Sequence, residues 1–246
     1  MELYSMLLQR VVEDLAIEDL GDVVLAPGDM EENIKRIEKV FEHLLETYAL
    51  VHAVGGEHTL SLPIAKVFAS RSWKPCMVVL DAHLDLRNEY LGVETCHATV
   101  LRRIVESANL HRVVFVGTRA VCREEVEHAK QLGLEVVWAR DVFEDLDGAL
   151  RRIRKAVEPC GSIYVSIDLD VIDPAYAPGV QTPEPLGLSP WQVLRILDNV
   201  IDERLWIVDY VELCPVNDPS EATSALVAKL IVEISAVWME RMGARW

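Results

Sequence analysis

The sequence predicts an α/β protein of three layers, in which helices cover both faces of a mostly parallel central sheet. Two observations support this fold class. Short runs rich in valine and isoleucine recur along the 246 residues. Most of these runs are apolar almost throughout, as is typical of strands buried on both faces of a parallel sheet. Helical patterns alternate with them, as expected for strand–helix–strand units.

Six runs are predicted as strands: 48–54, 76–81, 111–117, 134–139, 162–168 and 205–212. Helices are predicted at 30–47, 121–132, 142–157, 190–202 and 221–242. The last of these helices has an apolar stripe at helical spacing, made of Leu226, Leu230, Ile234 and Trp238. Segment 173–190 contains five prolines and is predicted to be an ordered loop. Since the chain has no internal repeat and no linker, residues 1–246 are predicted to form a single domain.

Composition limits the classes of function. A hydrophobic content of 51% with 26% charged residues argues against global disorder, and a net charge of -16 argues against a nucleic-acid-binding surface. The five scattered cysteines are predicted to be free thiols, which favours a cytoplasmic location. The N-terminus does not resemble a secretory signal, and no apolar run is expected to reach the length of a membrane-spanning helix.

Polar clusters follow the predicted strands. Ligands of open parallel sheets bind beyond the carboxyl ends of the strands, so such clusters are candidate sites. The stretch "GGEH" at 55–58 follows the first strand, and "DAHLD" at 81–85 follows the second. Two later strands end in "SIDLD" at 166–170 and "DYVE" at 209–212.

Each cluster alone has an ordinary interpretation. The triplet at 81–85 fits a solvated loop, the pair at 168–170 fits the cap of a turn, and His58 fits a core histidine. Together, however, two histidines and four aspartates from three strand ends carry too much charge for a single ion. They predict two divalent cations bridged by carboxylates. Imidazole and carboxylate ligands without thiolates favour Mn²⁺ or a similar ion over structural zinc.

Four motifs carry a resemblance to a known family: "GGEH", "DAHLD", "SIDLDVIDPAYAPGVQTPEPLG" and "VELCP". In order and spacing, from about residue 50 to the C-terminus, they resemble the ureohydrolase family, which includes arginase, agmatinase and guanidino-acid hydrolases. The resemblance implies the family's fold and two Mn²⁺ per subunit. It implies that one ion is held by His58, Asp81, Asp85 and Asp168. The other would be held by Asp81, His83, Asp168 and Asp170, so that Asp81 and Asp168 bridge.

The resemblance also implies catalytic roles. His97, in "ETCHATVLRR", matches the family's proton shuttle, although alone it would pass for a surface residue. Glu212 matches the glutamate that faces the guanidinium, and Asp85 would help to position that group. Glu184 and Asp173 would shape the proline-rich loop. A metal-bridging hydroxide would attack the guanidinium carbon, which gives urea and an amine.

The segment 86–97 is expected to overlie the mouth of the site. It contains Glu89 and Glu94, and Arg87 is its only arginine or lysine. An acidic rim disfavours a substrate carboxylate and tolerates a second cation. The segment resembles agmatinases, particularly prokaryotic and archaeal ones, so the expected substrate is agmatine and the product putrescine, a step of polyamine biosynthesis. Aminopropylagmatine, guanidinobutyrate and arginine are the alternative substrates.

The N-terminal region departs from the family pattern, since the motifs of the family's first strand and its connection are not found in this sequence. That strand lies beside the one that leads to "GGEH", so its loss would expose a sheet edge. A misplaced start, a short variant and an inactive or regulatory paralogue are the three explanations. A two-metal phosphoesterase is a further reading, but it would need basic or glycine-rich phosphate-binding elements. The resemblance implies a homo-oligomer, either a trimer or a hexamer.

Overall fold

The computed structural model describes residues 3–12 and 15–243. A short antiparallel hairpin comes first, formed by β1 (Tyr4–Ser5) and β2 (Arg10–Val11). The next elements are α1 (Met30–Thr47), β3 (Val51–Val54), α2 (Ser61–Arg71), β4 (Pro75–Leu80), α3 (Val100–Ser107), β5 (Arg112–Thr118), α4 (Arg123–Leu132) and β6 (Glu135–Trp138). The chain continues through α5 (Ala139–Glu144), α6 (Leu146–Val157), β7 (Ser162–Asp168), α7 (Pro190–Val200), β8 (Leu205–Val211) and α8 (Ala222–Arg241).

The central sheet has the order β3–β8–β7–β4–β5–β6, and every neighbouring pair is parallel. The predicted fold class is therefore confirmed, and each of the six predicted strands is present. Every residue of β4 and β7 is buried, because helices cover both faces of the sheet. The chain builds β4, β5 and β6 outward and then returns to place β7 on the other side of β4. The strand order thus reverses between β4 and β7.

Two helical layers enclose the sheet. The core on one face contains residues of α1, α2, α3 and α4, packed on alternate residues of the strands such as Met77 and Val79. The core on the other face contains residues of α5, α6, α7 and α8, packed against Val78 and Leu80. The alternation of neighbours along β4 explains why its sequence is apolar at every position, not at every second one.

Several helices differ from the sequence prediction. The predicted helix 142–157 is two helices, because the backbone of Asp145 is not helical (φ -151°, ψ 85°) and its side chain accepts a hydrogen bond from the Gly148 amide at 2.8 Å, which starts α6. Periodicity in the sequence does not predict the helices α2 and α3. Seven of the eleven residues of α2 are buried, so it lacks a polar face that would mark it as amphipathic.

The N-terminal hairpin lies on α8 and does not extend the sheet. Buried Glu233 of α8 accepts hydrogen bonds from Ser5 Oγ at 2.7 Å and from the Met6 amide at 2.6 Å. Burial alone would raise the pKa of Glu233, but these bonds and the Lys229 ammonium lower it overall. In the described residues β3 is an edge of the sheet, as expected, and Val54 is 54% exposed.

The prediction of five free thiols is wrong for one pair. Cys76 and Cys160 form a disulfide with their Cα atoms 5.8 Å apart, although they are 84 residues apart in sequence. The pairing arises because β4 and β7 are neighbours, with Cys76 near the start of β4 and Cys160 just before β7. Cys96, Cys122 and Cys214 are free. The cytoplasmic location loses this support, because stable disulfides are rare in the cytosol, and it stays a prediction.

The expectation about apolar length also needs correction. By length and composition, α8 is apolar enough to cross a membrane, which the reading of the sequence overlooked. Half of its most apolar stretch is buried, and Val227, Leu230 and Ile234 belong to the core of the sheet's second face. These contacts explain its composition, because a helix packed on several sides loses its polar stripe.

The partly buried His52 should make the stability of the fold depend on pH. Its ring nitrogens contact Tyr210 Oη at 3.2 Å and Ser235 Oγ at 3.1 Å, and burial lowers the pKa of His52 to about 4. Because the unfolded state takes up a proton near pH 6.5 and the folded state does not, stability should fall as the pH drops from about 6.5 towards 4. We expect His52 to contribute a loss of about 1–2 kcal/mol between pH 7.5 and pH 5.

Denaturant unfolding of the metal-free protein at the two pH values measures this loss. His52→Gln should lose about 1–2 kcal/mol less than the parent chain, because glutamine does not titrate. His43→Gln, at an exposed position on α1, is the matched control and should keep the parental dependence. Equal losses in all three proteins would show that His52 does not cause the effect.

Candidate metal centre

His58 lies at the start of a short 3₁₀ turn, His58–Leu60, that follows β3 and the Gly55–Gly56 turn. Its side chain is fully buried. Three carboxylate oxygens surround its Nδ1 atom: Asp85 Oδ2 at 3.2 Å, Asp168 Oδ2 at 3.2 Å and Asp81 Oδ2 at 3.6 Å. The other ring nitrogen, Nε2, lies 3.4 Å from Ser166 Oγ on β7. The imidazole is therefore oriented with Nδ1 towards the aspartates.

A second group forms around His83, which follows β4. Its Nδ1 lies 2.9 Å from Asp170 Oδ2 and 3.5 Å from Asp81 Oδ1. Asp170 Oδ1 accepts a hydrogen bond from the Ala82 amide at 3.1 Å, which ties the end of β7 to the end of β4. The His83 side chain is 26% exposed, so this group faces the mouth of the site.

The two groups share Asp81. Ligand atoms of His58, Asp81 and Asp85 all lie within 4.8 Å of one another, and so do those of Asp81, His83 and Asp170. The sixth predicted ligand, Asp168, contacts the first group through His58 Nδ1. The structure thus brings all six predicted metal ligands together, while the assignment of ligands to ions stays a prediction.

Local backbone geometry explains how the strand ends supply these groups. Asp81 Oδ1 accepts a hydrogen bond from the amide of His83 at 2.6 Å, and Asp168 Oδ1 accepts one from the amide of Asp170 at 2.9 Å. Each strand thus ends in the same side-chain-capped turn, which the spacing of the aspartates favours. Next to these turns, Gly117 on β5 has φ +92°, and a Cβ atom at this position would lie 2.4 Å from Val171 Cγ2. Both observations explain why this position is a glycine.

The electrostatics of the cluster fit bound cations. Burial, with the charges of Asp85 and Asp170, raises the pKa of Asp81 to about 7. Burial and neighbouring carboxylates also raise the pKa of Asp168 well above its ordinary value. Among the described residues, His58 Nδ1 and Asp81 Oδ2 are buried and make no hydrogen bond. Divalent cations would stabilise such an arrangement, because they would neutralise carboxylates that repel one another and would coordinate buried N and O atoms that make no hydrogen bond.

Glu212 lies directly beside the centre, although it belongs to neither group. It follows β8 with φ +61°, and its amide donates to Gly56 O at 2.6 Å. Its Oε1 accepts a hydrogen bond from the His58 amide at 2.8 Å. Burial raises the pKa of Glu212, and the hydrogen bond from His58 only partly offsets this. The structure therefore places the Glu212 carboxylate next to His58, while its role as the partner of a guanidinium stays a prediction.

His97 begins the 3₁₀ turn before α3, and its side chain is 45% exposed. Its Nδ1 lies 3.8 Å from Oε1 of Glu57, which precedes His58, and its ring stands edge-on to Tyr90 at 5.7 Å between centroids. The predicted proton shuttle is thus at the mouth of the centre and outside both ligand groups. The sequence analysis missed Glu57, although the "GGEH" motif contained it.

A buried carboxylate behind the centre was noted in the sequence but received no role. Asp209 on β8 is fully buried, and its Oδ2 accepts hydrogen bonds from Ser61 Oγ at 2.6 Å and from the Tyr164 hydroxyl. Burial raises the pKa of Asp209. Ser61 and Tyr164 come from α2 and β7, so only the assembled fold reveals this cluster.

Taken together, the fold and the site define the class: a three-layer α/β/α protein with a paired histidine–aspartate centre at the point where the strand order reverses. The chain belongs to the arginase family, whose model matches residues 1–236. It is 33% identical to an agmatinase of Bacillus cereus, over 98% of this chain and 81% of that protein. It is 34% identical to a guanidinobutyrase of Pseudomonas aeruginosa, over 92% of this chain and 72% of that protein.

Solved structures agree with this family. The agmatine ureohydrolase of Thermoplasma volcanium superposes with a TM-score of 0.85 at 29% identity, covering 100% of this chain and 81% of that one. The resemblance drawn from four motifs is therefore confirmed.

Proposed function

We propose that this protein hydrolyses the guanidinium group of agmatine to putrescine and urea, with two Mn²⁺ per subunit. The observation that carries the proposal is the pair of histidine–aspartate groups that share Asp81, next to the carboxylate of Glu212. Relatives named agmatinase and agmatine ureohydrolase support the same reaction. The metal ligands would be His58, Asp81, His83, Asp85, Asp168 and Asp170.

The chain's own residues would bind and orient the substrate. Bound cations would supply Lewis acidity, which makes water a nucleophile near neutral pH. Glu212 would pair with the cationic guanidinium and hold its carbon over the centre, with Asp85 aiding the alignment. His97 would deliver a proton to the leaving amine, since it stands at the exposed mouth. Addition of one water molecule to agmatine and loss of the amine give urea and putrescine.

The rim of the site favours a substrate with a second positive charge. Glu57, Glu89 and Glu94 are exposed carboxylates on the two segments that approach His97. Arg87 is engaged elsewhere, with its guanidinium 5.1 Å from the centre of the Tyr90 ring and its Nε 3.8 Å from Glu125 Oε2. A substrate carboxylate would thus meet acidic groups and a base that is already paired.

Other guanidino compounds are the alternative substrates. The guanidinobutyrase relative supports guanidinobutyrate, and the acidic rim suits aminopropylagmatine as well as agmatine. Arginine fits less well because its carboxylate would face the same rim. A non-catalytic or regulatory role would keep the ligand groups but release no urea. A cytoplasmic location and a trimeric or hexameric assembly belong to the same proposal.

The test is urea release by the purified 246-residue chain. The protein is incubated with Mn²⁺ or with a chelator and then given agmatine, aminopropylagmatine, guanidinobutyrate or arginine at equal concentration. We expect manganese-dependent urea with agmatine preferred. A preference for guanidinobutyrate would show that guanidinobutyrate, not agmatine, is the substrate. No urea from folded, manganese-loaded protein would favour the non-catalytic role.

Glu94→Gln tests the rim. Removing this exposed negative charge should lower kcat/KM for agmatine by about 2–5-fold, because the distal ammonium loses a partly screened attraction. The value for guanidinobutyrate should stay the same or rise. Glu127→Gln removes an exposed charge from α4 and is the matched control. An equal decrease for both substrates would contradict the role of the rim.

A further inference from the structure

Arg119 follows β5 and packs against the carboxylate centre without belonging to either ligand group. Among the described residues its guanidinium donates to backbone carbonyls and to no side chain: the acceptors are those of Gly117, Asp170, Val171, Glu184 and Pro185, at 2.6–3.3 Å. The shortest bonds are those from Nη2 to the carbonyls of Glu184 at 2.6 Å and Asp170 at 2.7 Å. Five bonds from one partly buried side chain fix the relative positions of the segments that accept them.

Main-chain bonds from Arg119 and its neighbour Ala120 hold a third segment, the loop after β4. The amides of Arg119 and Ala120 donate to Ala82 O at 2.8 Å and 2.9 Å. Ala82 lies between Asp81 and His83, which are two members of the second ligand group. Arg119 therefore touches the loop after β4 with its main chain, and the turn after β7 and the proline-rich loop with its side chain.

The proline-rich loop matters because it brings Glu184 to His83. Glu184 Oε1 lies 3.7 Å from Nε2 of His83, whose Nδ1 faces Asp170. At 3.7 Å this carboxylate makes no hydrogen bond to the ring, but it lies on the side of the imidazole where the carboxylate partner of a metal-bound histidine is usually found. Arg119 secures this arrangement through the carbonyls of Glu184 and Pro185.

Close packing in the proline-rich loop restricts the Arg119 guanidinium to one position. A Cβ added at Gly187 would lie 2.7 Å from Arg119 Nη2 and 2.4 Å from the Asp173 amide nitrogen. The planar guanidinium with five donors can bridge carbonyls on several segments, whereas an ammonium has three donors at one point. A lysine at position 119 would keep the positive charge, but it could not donate to carbonyls on several segments at once.

We propose that Arg119 is a positioning residue for the Asp81–His83–Asp170 group, which it holds in register by joining three segments of the chain. The inference rests on the proposed function in one respect, since that group is taken to bind a cation. The other group, His58–Asp81–Asp85, receives no hydrogen bond from the Arg119 guanidinium among the described residues. Loss of Arg119 should therefore weaken one of the two cations selectively.

Calorimetric titration with Mn²⁺ and electron paramagnetic resonance of the loaded chain test this directly. The parent chain should bind two ions and show the spectrum of a coupled pair. Arg119→Lys should bind one ion with parental affinity and the other about 10–100-fold more weakly, with the spectrum of an isolated ion at intermediate manganese. The variant His83→Ala removes a ligand of the same ion, so its spectrum is the reference for loss of that ion.

Arg204→Lys is the matched control. Arg204 also donates to backbone carbonyls, those of Val157 and Cys160, but at the opposite end of the sheet. It should lose stability without a change in metal binding. Should Arg119→Lys fail to fold, Arg119→Gln, whose shorter neutral side chain has two N–H donors in place of five, should give the same selective loss.

Two results would overturn the inference: parental affinity for both ions in Arg119→Lys, or equal weakening of both ions. A parent chain that binds two Mn²⁺ but releases no urea would contradict the proposed function and leave the role of Arg119 standing.

Discussion

Asp81→Asn is expected to reduce manganese-dependent urea release to background. Asp81 is the residue that the two ligand groups share, so its amide variant removes a charged ligand from both. In the metal-free protein the same change should not lower the melting temperature. Burial and nearby carboxylates raise the pKa of Asp81 to about 7, so its ionised form opposes folding at neutral pH.

Thermal unfolding with and without Mn²⁺ separates these effects. The parent chain should gain about 2.7 kcal/mol for each bound ion at a free manganese concentration 100 times that ion's dissociation constant, and Asp81→Asn should gain much less. Asp147→Asn, an exposed position on α6, should behave like the parent. Full urea release by Asp81→Asn would exclude this residue as a required ligand.

Glu212→Gln should lower kcat/KM for agmatine by about 100–1,000-fold. The neutral amide loses the charge that would pair with the guanidinium. It can still accept the hydrogen bond that Glu212 receives from the His58 amide at 2.8 Å, so the fold should be kept. Manganese stoichiometry should also stay at the parental value, because Glu212 belongs to neither ligand group.

Steady-state kinetics and calorimetric titration on the same preparation provide the measurement. Glu127→Gln is the control for loss of one carboxylate at an exposed position. If Glu212→Gln lost manganese along with activity, its carboxylate would have to be assigned to the metal centre. Activity within a factor of two of the parent would remove Glu212 from the substrate site.

Most of the candidate site was predictable because its ligands follow strands. The triplet at 81–85 and the pair at 168–170 each lie at the end of a buried apolar run, and the carboxyl ends of parallel strands meet at one edge. Arg119 also follows a strand, β5, but a lone arginine carries no ligand signal, so the sequence does not predict its role. Its role depends on carbonyls up to 66 residues away.

Helices were predictable where one face is polar. The range of α1 agrees with the periodic pattern at both ends, and Asp29 caps it by accepting from the Glu32 amide. The helix α2 was not singled out because seven of its residues are buried. Local sequence cannot distinguish a buried helix from a buried strand by period alone.

By itself, the sequence determined the strand positions, the family and the six ligand candidates, because hydrophobic period and strand-end chemistry are local properties. Tertiary structure alone decided the order β3–β8–β7–β4–β5–β6, which makes β4 and β7 neighbours. That one adjacency unites the two aspartate turns and pairs Cys76 with Cys160. Because β5 is the other neighbour of β4, Arg119 also reaches the carbonyl of Asp170. Such contacts join residues far apart in the chain, and their formation depends on how whole strands pack, which no short stretch of sequence encodes.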